Sequence, residues 1–217
     1  MKEYQSRRLF FSGILLILAA ACAFLTWKVA AVGPDYVTDA DLAVQQWFLS
    51  IRTEFLNAVV TILTHTTDTI TIVILCAVLL FFPFPGRIKY GVPVTLTALA
   101  DMAVYKTMKH LFLRQRPDVI YHIVEQGGYS FPSGHSATSV AVYGLLFYLI
   151  RRNCENPALR NILSGVCLFL AAAVGPSRLY VGVHWFTDVL AGWCIGGIAV
   201  MTAIMILEKL EERHVSI

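Results

Sequence analysis

The sequence predicts an all-α integral membrane protein in which six transmembrane helices form a single bundle. Of the 217 residues, 57% are apolar and 14% are charged, whereas soluble domains carry about 25% charged residues. Apolar runs of membrane-crossing length recur along the chain, and lipid solvates their outward faces. We therefore interpret residues 1–217 as one membrane domain. The net charge of +3 is small and forms no basic stripe, so nothing indicates nucleic-acid binding.

The first predicted span is Leu9–Val32, a long and predominantly apolar run. It exceeds the apolar core of a secretory signal peptide, so we expect an uncleaved helix. Cleavage after Ala20–Ala23 is the alternative. Gly33-Pro34 is expected to end the helix. Next, Asp39–Ser50 mixes apolar and polar residues in a pattern typical of a short amphipathic helix lying in the membrane interface.

The second predicted span is interrupted by polar residues. Phe55–Leu63 and Ile70–Phe84 are apolar, whereas Thr64–Thr69 between them is polar. We expect a break or a helix cap at this patch, and a span that starts at about Ile70. One long tilted helix is the alternative. The two ionisable residues of the patch, His65 and Asp68, are expected to cap a helix.

Four further spans follow, and the fourth and fifth are short against the ~20 residues usually needed to cross a bilayer. The residues expected to end the second span are Pro83, Pro85 and Gly86. The remaining spans are expected at about Tyr90–Leu113, Pro132–Ile150, Leu159–Val174 and Trp185–Leu207. Gly175-Pro176 is expected to end the fifth of the six spans, because proline interrupts helices.

Positive charge predicts the orientation, because cytoplasmic loops collect lysine and arginine. The cations that fall on one side are Lys2, Arg7, Arg8, Arg87, Lys89, Arg151, Arg152, Arg160, Lys209 and Arg213. That side is expected to be cytoplasmic, with both termini. Counting spans from there places the end of span three, the start of span four and the loop before span six together on the external face.

Three stretches at those external ends carry the chemistry: KHLFLRQRP from Lys109 to Pro117, PSGH from Pro132 to His135, and SRLYVGVHWFTD from Ser177 to Asp188. Charge near bilayer depth is costly, which makes each stretch a functional hypothesis. In the first, Lys109 and Arg116 are seven residues apart, so they share a face if the helix continues to Arg116. Snorkelling cations at a helix end are the alternative for this stretch alone.

The second and third stretches add histidines and an anion-binding helix start. Ser133 is a candidate helix cap, and Gly134 lets backbone approach a ligand at a helix N-terminus, which favours anions. His184 and Asp188 are four residues apart and therefore face one another on a helix. A carboxylate that accepts from one imidazole nitrogen leaves the other free as a nucleophile. An ordinary helix start and a structural His–Asp pair are the alternatives.

These stretches match the signature K-x6-RP, PSGH and SR-x5-H-x3-D, and the chain resembles the type 2 phosphatidic acid phosphatase/haloperoxidase superfamily. Within it, the sequence is similar to bacterial membrane enzymes of the phosphatidylglycerophosphatase B and undecaprenyl-diphosphate phosphatase kind. The resemblance implies that His184 attacks phosphorus and forms a phosphohistidine, that Asp188 orients it, and that His135 protonates the leaving oxygen and then activates water. It also implies a phosphate-binding set: Lys109, Arg116, Ser133, Gly134 and Arg178.

The resemblance further implies a substrate that is a membrane lipid phosphate, with neither a metal nor another cofactor. Undecaprenyl diphosphate, phosphatidylglycerol phosphate and phosphatidic acid all remain open, as does the oligomeric state. A lipid phosphotransferase, a vanadate-dependent haloperoxidase and a catalytically silent lipid transporter or scaffold are the alternatives. The expected location is a bacterial plasma membrane, with the site facing the periplasm or exterior.

Charged residues beside the signature have less specific expectations. Asp101 lies in the middle of a span and is expected to be a buried hydrogen-bond or ion-pair partner. Lys106 and Arg114 flank the first stretch, where they either attract an anionic head group or snorkel to the interface.

Overall fold

The computed structural model describes residues 2–84 and 86–215, with side chains from residue 9 to 212 apart from residue 85. The predicted charges of Lys2, Arg7, Arg8 and Arg213 and the helix-ending role of Pro85 lie outside these described residues and side chains. Every regular element in the described ranges is helical. The α-helices are α1 (Lys2–Val32), α2 (Asp39–Ser50), α3 (Glu54–His65), α4 (Thr69–Phe81), α5 (Arg87–Phe112), α6 (Gly134–Thr138), α7 (Leu145–Asn153), α8 (Pro157–Tyr180) and α9 (Phe186–Val215).

Three of the described helices are long and apolar enough to cross a membrane: Leu9–Val32 in α1, all of α8, and Phe186–Glu212 in α9. The pair formed by α3 and α4 passes the same test together, although it is bent by 50°. This gives three spans, or four if the bent pair counts as one. Helix α5 and the run from α6 through a π-helical segment (Ser139–Gly144) to α7 occupy the positions of the third and fourth predicted spans.

The break predicted in the second span is present between α3 and α4. Helix α3 ends at His65, and α4 begins at Thr69. The hydroxyl of Tyr143 donates to the carbonyl oxygen of Thr66 at 2.7 Å and so ties the break to the π-helical segment. Thr64, the first residue of the polar patch, is fully buried. Thr64, Thr66 and Thr67 therefore face the protein, whereas His65 and Thr69 of the same patch are exposed.

The prediction that Gly175-Pro176 ends the fifth span is wrong. Helix α8 continues through both residues to Tyr180. Proline removes only one backbone donor, and membrane helices tolerate that loss where neighbouring elements pack around it. Gly175 provides such packing, because a Cβ atom there would lie 2.6 Å from the ring of Trp193 in α9. As a result, Arg178 sits on the last turn of α8 rather than in a loop.

Helix α9 forms the centre of the fold, with α1, α5 and α6 packed against it. Gly192 and Gly196 lie one turn apart on the face that meets α6. A Cβ atom on Gly192 would lie 2.5 Å from the carbonyl oxygen of Ser133, and one on Gly196 would meet the carbonyl oxygen of Ala137. The two backbones therefore touch, as small residues allow in membrane helices. This contact fixes the PSGH stretch against the start of α9.

A buried ion-pair network anchors the start of α9 to α2. The guanidinium of Arg114 is fully buried and donates to Asp188 at 2.5 Å and to Asp41 at 2.9 Å. Asp41 in turn accepts from the backbone amide of Thr187 at 2.8 Å. Neither expectation for Arg114 holds, since its side chain reaches neither the interface nor a head group. Lys106 is exposed, as a snorkelling residue would be.

Replacing Arg114 with methionine is expected to destabilise the fold by about 3–5 kcal/mol, because it leaves the Asp41 and Asp188 carboxylates buried without their counter-charge. The free energy of unfolding in mixed micelles measures the effect. Lys106→Met is the matched control, since it removes an exposed cation from the same region. Equal stability of the two variants would contradict the anchoring role.

Candidate active site

His184 lies in the turn between α8 and α9 and is 4% exposed. Its Nδ1 atom is 3.3 Å from Oδ2 of Asp188, and its Nε2 atom is 3.1 Å from Nη1 of Arg116. A guanidinium can only donate hydrogen bonds, so Nε2 must be the accepting nitrogen. The hydrogen of the neutral ring therefore sits on Nδ1 and points at Asp188. This tautomer leaves the Nε2 lone pair directed toward the cations of the site.

Asp188 is held from three sides within the first turn of α9. Besides His184, its Oδ2 atom accepts from the backbone amide of Trp185 at 2.9 Å, and Oδ1 accepts from Arg114 at 2.5 Å. The contact to His184 is longer than a typical N–H···O hydrogen bond. The Trp185 and Arg114 contacts therefore set the position of the carboxylate, and the imidazole orients against it.

The surroundings of His184 favour its neutral form. Burial lowers the pKa of His184 well below its usual value, and the positive charges of Arg116, Lys109 and Arg178 lower it further. A protonated imidazole has no lone pair on Nε2 and cannot attack an electrophile. At neutral pH the ring is therefore uncharged and competent as a nucleophile.

Lys109 and Arg116 meet at one carbonyl oxygen. The Lys109 ammonium donates to the carbonyl of Tyr129 at 2.6 Å, and Nη2 of Arg116 donates to the same oxygen at 3.0 Å. They do not share a helix face, because α5 ends at Phe112 and Leu113 adopts a positive φ of 52°. The shared-face explanation from their spacing is thus wrong, and the loop after α5 brings them together.

Arg116 also joins the two loops that flank the site. It donates to Gly127 at 3.0 Å, to Gly128 at 2.9 Å and to the carbonyl of Val183 at 2.6 Å. Burial lowers the pKa of Arg116 to about 10, so the side chain stays protonated at neutral pH. It therefore supplies a fixed positive charge beside Nε2 of His184.

Arg178 adds the third cation from the last turn of α8. It is 1% exposed and donates to the hydroxyl of Thr64 at 2.7 Å and to the side-chain oxygen of Gln126 at 2.5 Å. Its Nε atom is buried and has no hydrogen-bond partner. Leaving a buried charged donor unsatisfied is costly. This donor therefore suits an anion, and the charge of Arg116 acts on the same guanidinium.

The PSGH stretch forms the start of α6, as its sequence predicts. Ser133 caps the helix by accepting from the amide of Ser136 at 3.4 Å, and its own amide donates to the carbonyl of Asp188 at 3.0 Å. Gly134 has a structural reason to lack a side chain, because a Cβ atom would lie 2.9 Å from the ring of Tyr105. Packing against Tyr105 therefore requires a glycine here, independently of the expected approach of a ligand.

His135 contacts a carboxylate that sequence reasoning assigned differently. Its Nε2 atom lies 2.8 Å from Oδ1 of Asp68. Asp68 occupies the N-cap position of α4 but makes no side-chain capping bond, so the capping prediction for this carboxylate is wrong. The signal that points to Asp68 is an ionisable residue between two apolar runs, where charge needs a partner.

The arrangement brings three cations, Arg116, Lys109 and Arg178, and the second imidazole of His135 close enough to act on the neutral ring of His184. Such a set can hold an anionic group, attack it and exchange a proton with it. Among the described residues, no group of three or more His, Cys, Asp and Glu side chains is placed to hold a metal ion. Asp101 is buried and accepts from the hydroxyl of Thr138 at 2.9 Å, as expected.

Comparison with known proteins places these residues in a family. The chain is 31% identical to phosphatidylglycerophosphatase B of Bacillus subtilis over 80% of this chain and 86% of that protein. It is 30% identical to the putative undecaprenyl-diphosphatase YbjG of Escherichia coli over 67% of this chain and 72% of that protein. The crystal structure of a transmembrane PAP2-type phosphatidylglycerolphosphate phosphatase from Bacillus subtilis superposes with a TM-score of 0.76 at 28% identity, covering 88% of this chain and 96% of that one.

The family model of the PAP2 superfamily matches residues 90–211, which is more than half of the chain. That range contains Lys109, Arg116, Ser133–His135, Arg178 and the His184–Asp188 pair. It begins after the broken span formed by α3 and α4, so Asp68 lies outside it. The chain, a membrane protein by its apolar helices, belongs to the PAP2 superfamily.

Proposed function

We propose that the protein is an integral membrane phosphatase that hydrolyses a lipid phosphate through a phosphohistidine on His184. The observation that carries the proposal is the orientation of His184: its Nε2 lone pair faces Arg116 at 3.1 Å while Nδ1 faces Asp188. The similarity of the chain to phosphatases named for phosphatidylglycerophosphate and undecaprenyl diphosphate supports a phosphorylated lipid as the substrate.

In the first step, Nε2 of His184 attacks phosphorus, and the bond from phosphorus to the lipid-bearing oxygen breaks with its electron pair on that oxygen. The protonated His135 gives its proton to the departing oxygen. Asp188 accepts the hydrogen bond from Nδ1 and stabilises the positive charge that develops on His184. In the second step, neutral His135 takes a proton from water as the water attacks phosphorus, which releases phosphate and restores His184.

The cations are proposed to hold the phosphoryl oxygens during both steps. Lys109, Arg116 and Arg178 surround the space in front of His184, and the unpaired Nε atom of Arg178 is a donor available to an anion. Ser133 and the amide of Gly134 lie at the start of α6, where free N–H groups favour negative charge. Preorganised donors of this kind stabilise a transition state whose charge spreads over three oxygens.

The lipid chain is proposed to lie between α4 and α5. A cavity of about 270 Å³ begins near the site at Thr67, Tyr105 and Thr138 and runs along apolar side chains that include Ile72 and Leu80. This position lets a hydrocarbon tail stay in an apolar environment while its head group reaches the cations.

We also propose the full topology of six spans, with α2 as an amphipathic helix in the interface. The six spans are α1, α4 with its bent partner α3, α5, the run from α6 to α7, α8 and α9. Arg87 and Arg151 lie at the helix ends opposite the site, which supports a cytoplasmic location for those ends and an external location for the site.

His184→Ala is expected to lower phosphate release by at least about 10³-fold, because the variant lacks the attacking nitrogen. Purified protein in detergent should be assayed on a panel of phosphatidic acid, phosphatidylglycerol phosphate and undecaprenyl diphosphate. Rapid alkaline quenching with a labelled phosphoryl group should trap an acid-labile phosphoprotein in the native chain and none in the variant. A strongly active His184→Ala protein would refute the mechanism.

Removal of divalent metals is expected to leave activity unchanged, since the cationic side chains do the work of a metal clamp. The measurement is phosphate release before and after dialysis against EDTA, with Mg²⁺ added back to one sample. Activity that disappears with EDTA and returns with Mg²⁺ would contradict the proposal.

A cysteine at position 125 is expected to react with a membrane-impermeant maleimide in intact cells, because Glu125 is exposed in the loop between α5 and α6. The five native cysteines are first replaced. Glu155→Cys is the matched control: it is exposed in the turn between α7 and α8 and should react only after permeabilisation. The reverse labelling pattern would invert the proposed topology.

A further inference from the structure

The polar patch Thr64–Thr69, which includes the turn between α3 and α4, contacts two side chains of the candidate site. At one end, the hydroxyl of Thr64 accepts from Arg178 at 2.7 Å. At the other end, Oδ1 of Asp68 lies 2.8 Å from Nε2 of His135. The turn therefore contributes to the site from a part of the chain that the family signature does not include.

Each oxygen of the Asp68 carboxylate contacts an imidazole ring. While Oδ1 meets His135, Oδ2 lies 2.6 Å from Nδ1 of His65. The backbone geometry places Asp68 at the N-cap of α4, where an aspartate usually binds a free amide, yet it makes no such bond. Its side chain is turned away from its own helix and toward α6.

The contact with Asp68 determines which nitrogen of His135 is free. An ionised carboxylate can only accept, so Nε2 of His135 carries a hydrogen and donates it. The neutral ring then has its lone pair on Nδ1, and the protonated ring has its exchangeable hydrogen on Nδ1. Burial and the nearby cations favour the neutral ring of His135, and the negative charge of Asp68 partly opposes them. The same logic applies to His184 and Asp188, but with the two ring nitrogens exchanged.

We propose that Asp68 is a positioning residue for His135 and that the site works with two histidine–carboxylate pairs. Asp68 holds Nε2–H so that Nδ1 gives its proton to the leaving lipid oxygen and later takes one from water. This inference rests on the proposed phosphatase function and assigns a role to a residue 67 positions before its partner.

The dependence of the rate on the leaving group separates this role from a purely structural one. An alkoxide leaving group, as in phosphatidic acid, needs a proton when the bond to phosphorus breaks, whereas 4-nitrophenolate leaves readily without one. General acid catalysis contributes about 10²–10⁴-fold to a rate. Asp68→Asn should therefore slow the first turnover of phosphatidic acid by about 10²-fold or more and that of 4-nitrophenyl phosphate far less.

The experiment compares single-turnover rates of native protein and Asp68→Asn on both substrates in the same detergent. Asp39→Asn, an exposed aspartate at the start of α2, is the matched control and should leave both rates at the native level. Asp68→Glu keeps the charge and should recover part of the loss on phosphatidic acid alone. Equal losses on both substrates, or no loss on either, would overturn the positioning role.

A measurement on the ring itself keeps the inference testable if Asp68→Asn loses activity through misfolding. The ¹⁵N chemical shifts of histidine-labelled native protein, with His135→Gln used for assignment, should show the hydrogen on Nε2 of His135. A hydrogen on Nδ1 instead would overturn the assignment. If the native protein forms the phosphohistidine and Asp68→Asn cleaves phosphatidic acid at the native rate, only the role of Asp68 is refuted. Native protein that releases no phosphate from any lipid refutes the proposed function and this inference with it.

Discussion

The fold of the site depends on the compensation of two buried carboxylates, Asp188 and Asp41, by one guanidinium. Asp188 is fully buried, and a carboxylate in such surroundings requires a counter-charge. Arg114 provides it and also donates to Asp41, to the hydroxyl of Thr187 and to the carbonyl of Tyr36. Because the three charged residues come from α9, the loop after α5, and α2, one electrostatic requirement brings three distant segments together. His184 is then oriented against a carboxylate that is already fixed.

The contact between α6 and α9 sets how far His135 lies from His184. In the proposed mechanism, His135 and His184 must both reach a single phosphorus atom. Gly192 and Gly196 let the two helix backbones touch, and the amide of Ser133 reaches the carbonyl of Asp188. Larger residues at either glycine would push the helices apart by the width of a side chain. Misplacement of reacting groups by about 1 Å can cost about 10²-fold in rate.

Much of the fold and of the site was predictable from local sequence patterns, whereas contacts between residues far apart in the sequence were not. The His184–Asp188 spacing and the Ser133 cap act within one helical turn, so a single stretch of sequence reveals them. The Arg114–Asp41 pair joins residues 73 positions apart, and no periodicity reports such a contact. The end of α8 was missed because tolerance of proline within a helix depends on what packs beside it, here the ring of Trp193.

The carbonyl oxygens that accept from Lys109 and Arg116 make ligand binding at these cations depend on the charge of the ligand. Each cation already has neutral dipoles as partners, mainly in residues 127–130. A ligand oxygen that binds Lys109 or Arg116 therefore displaces an existing partner, whereas the buried Nε of Arg178 has no partner to displace. A neutral head group gains little from this exchange, whereas a phosphate dianion gains a charge-assisted bond at each replacement. For the proposed lipid phosphatase, this exchange predicts discrimination against uncharged lipids, even where their size would allow them to enter.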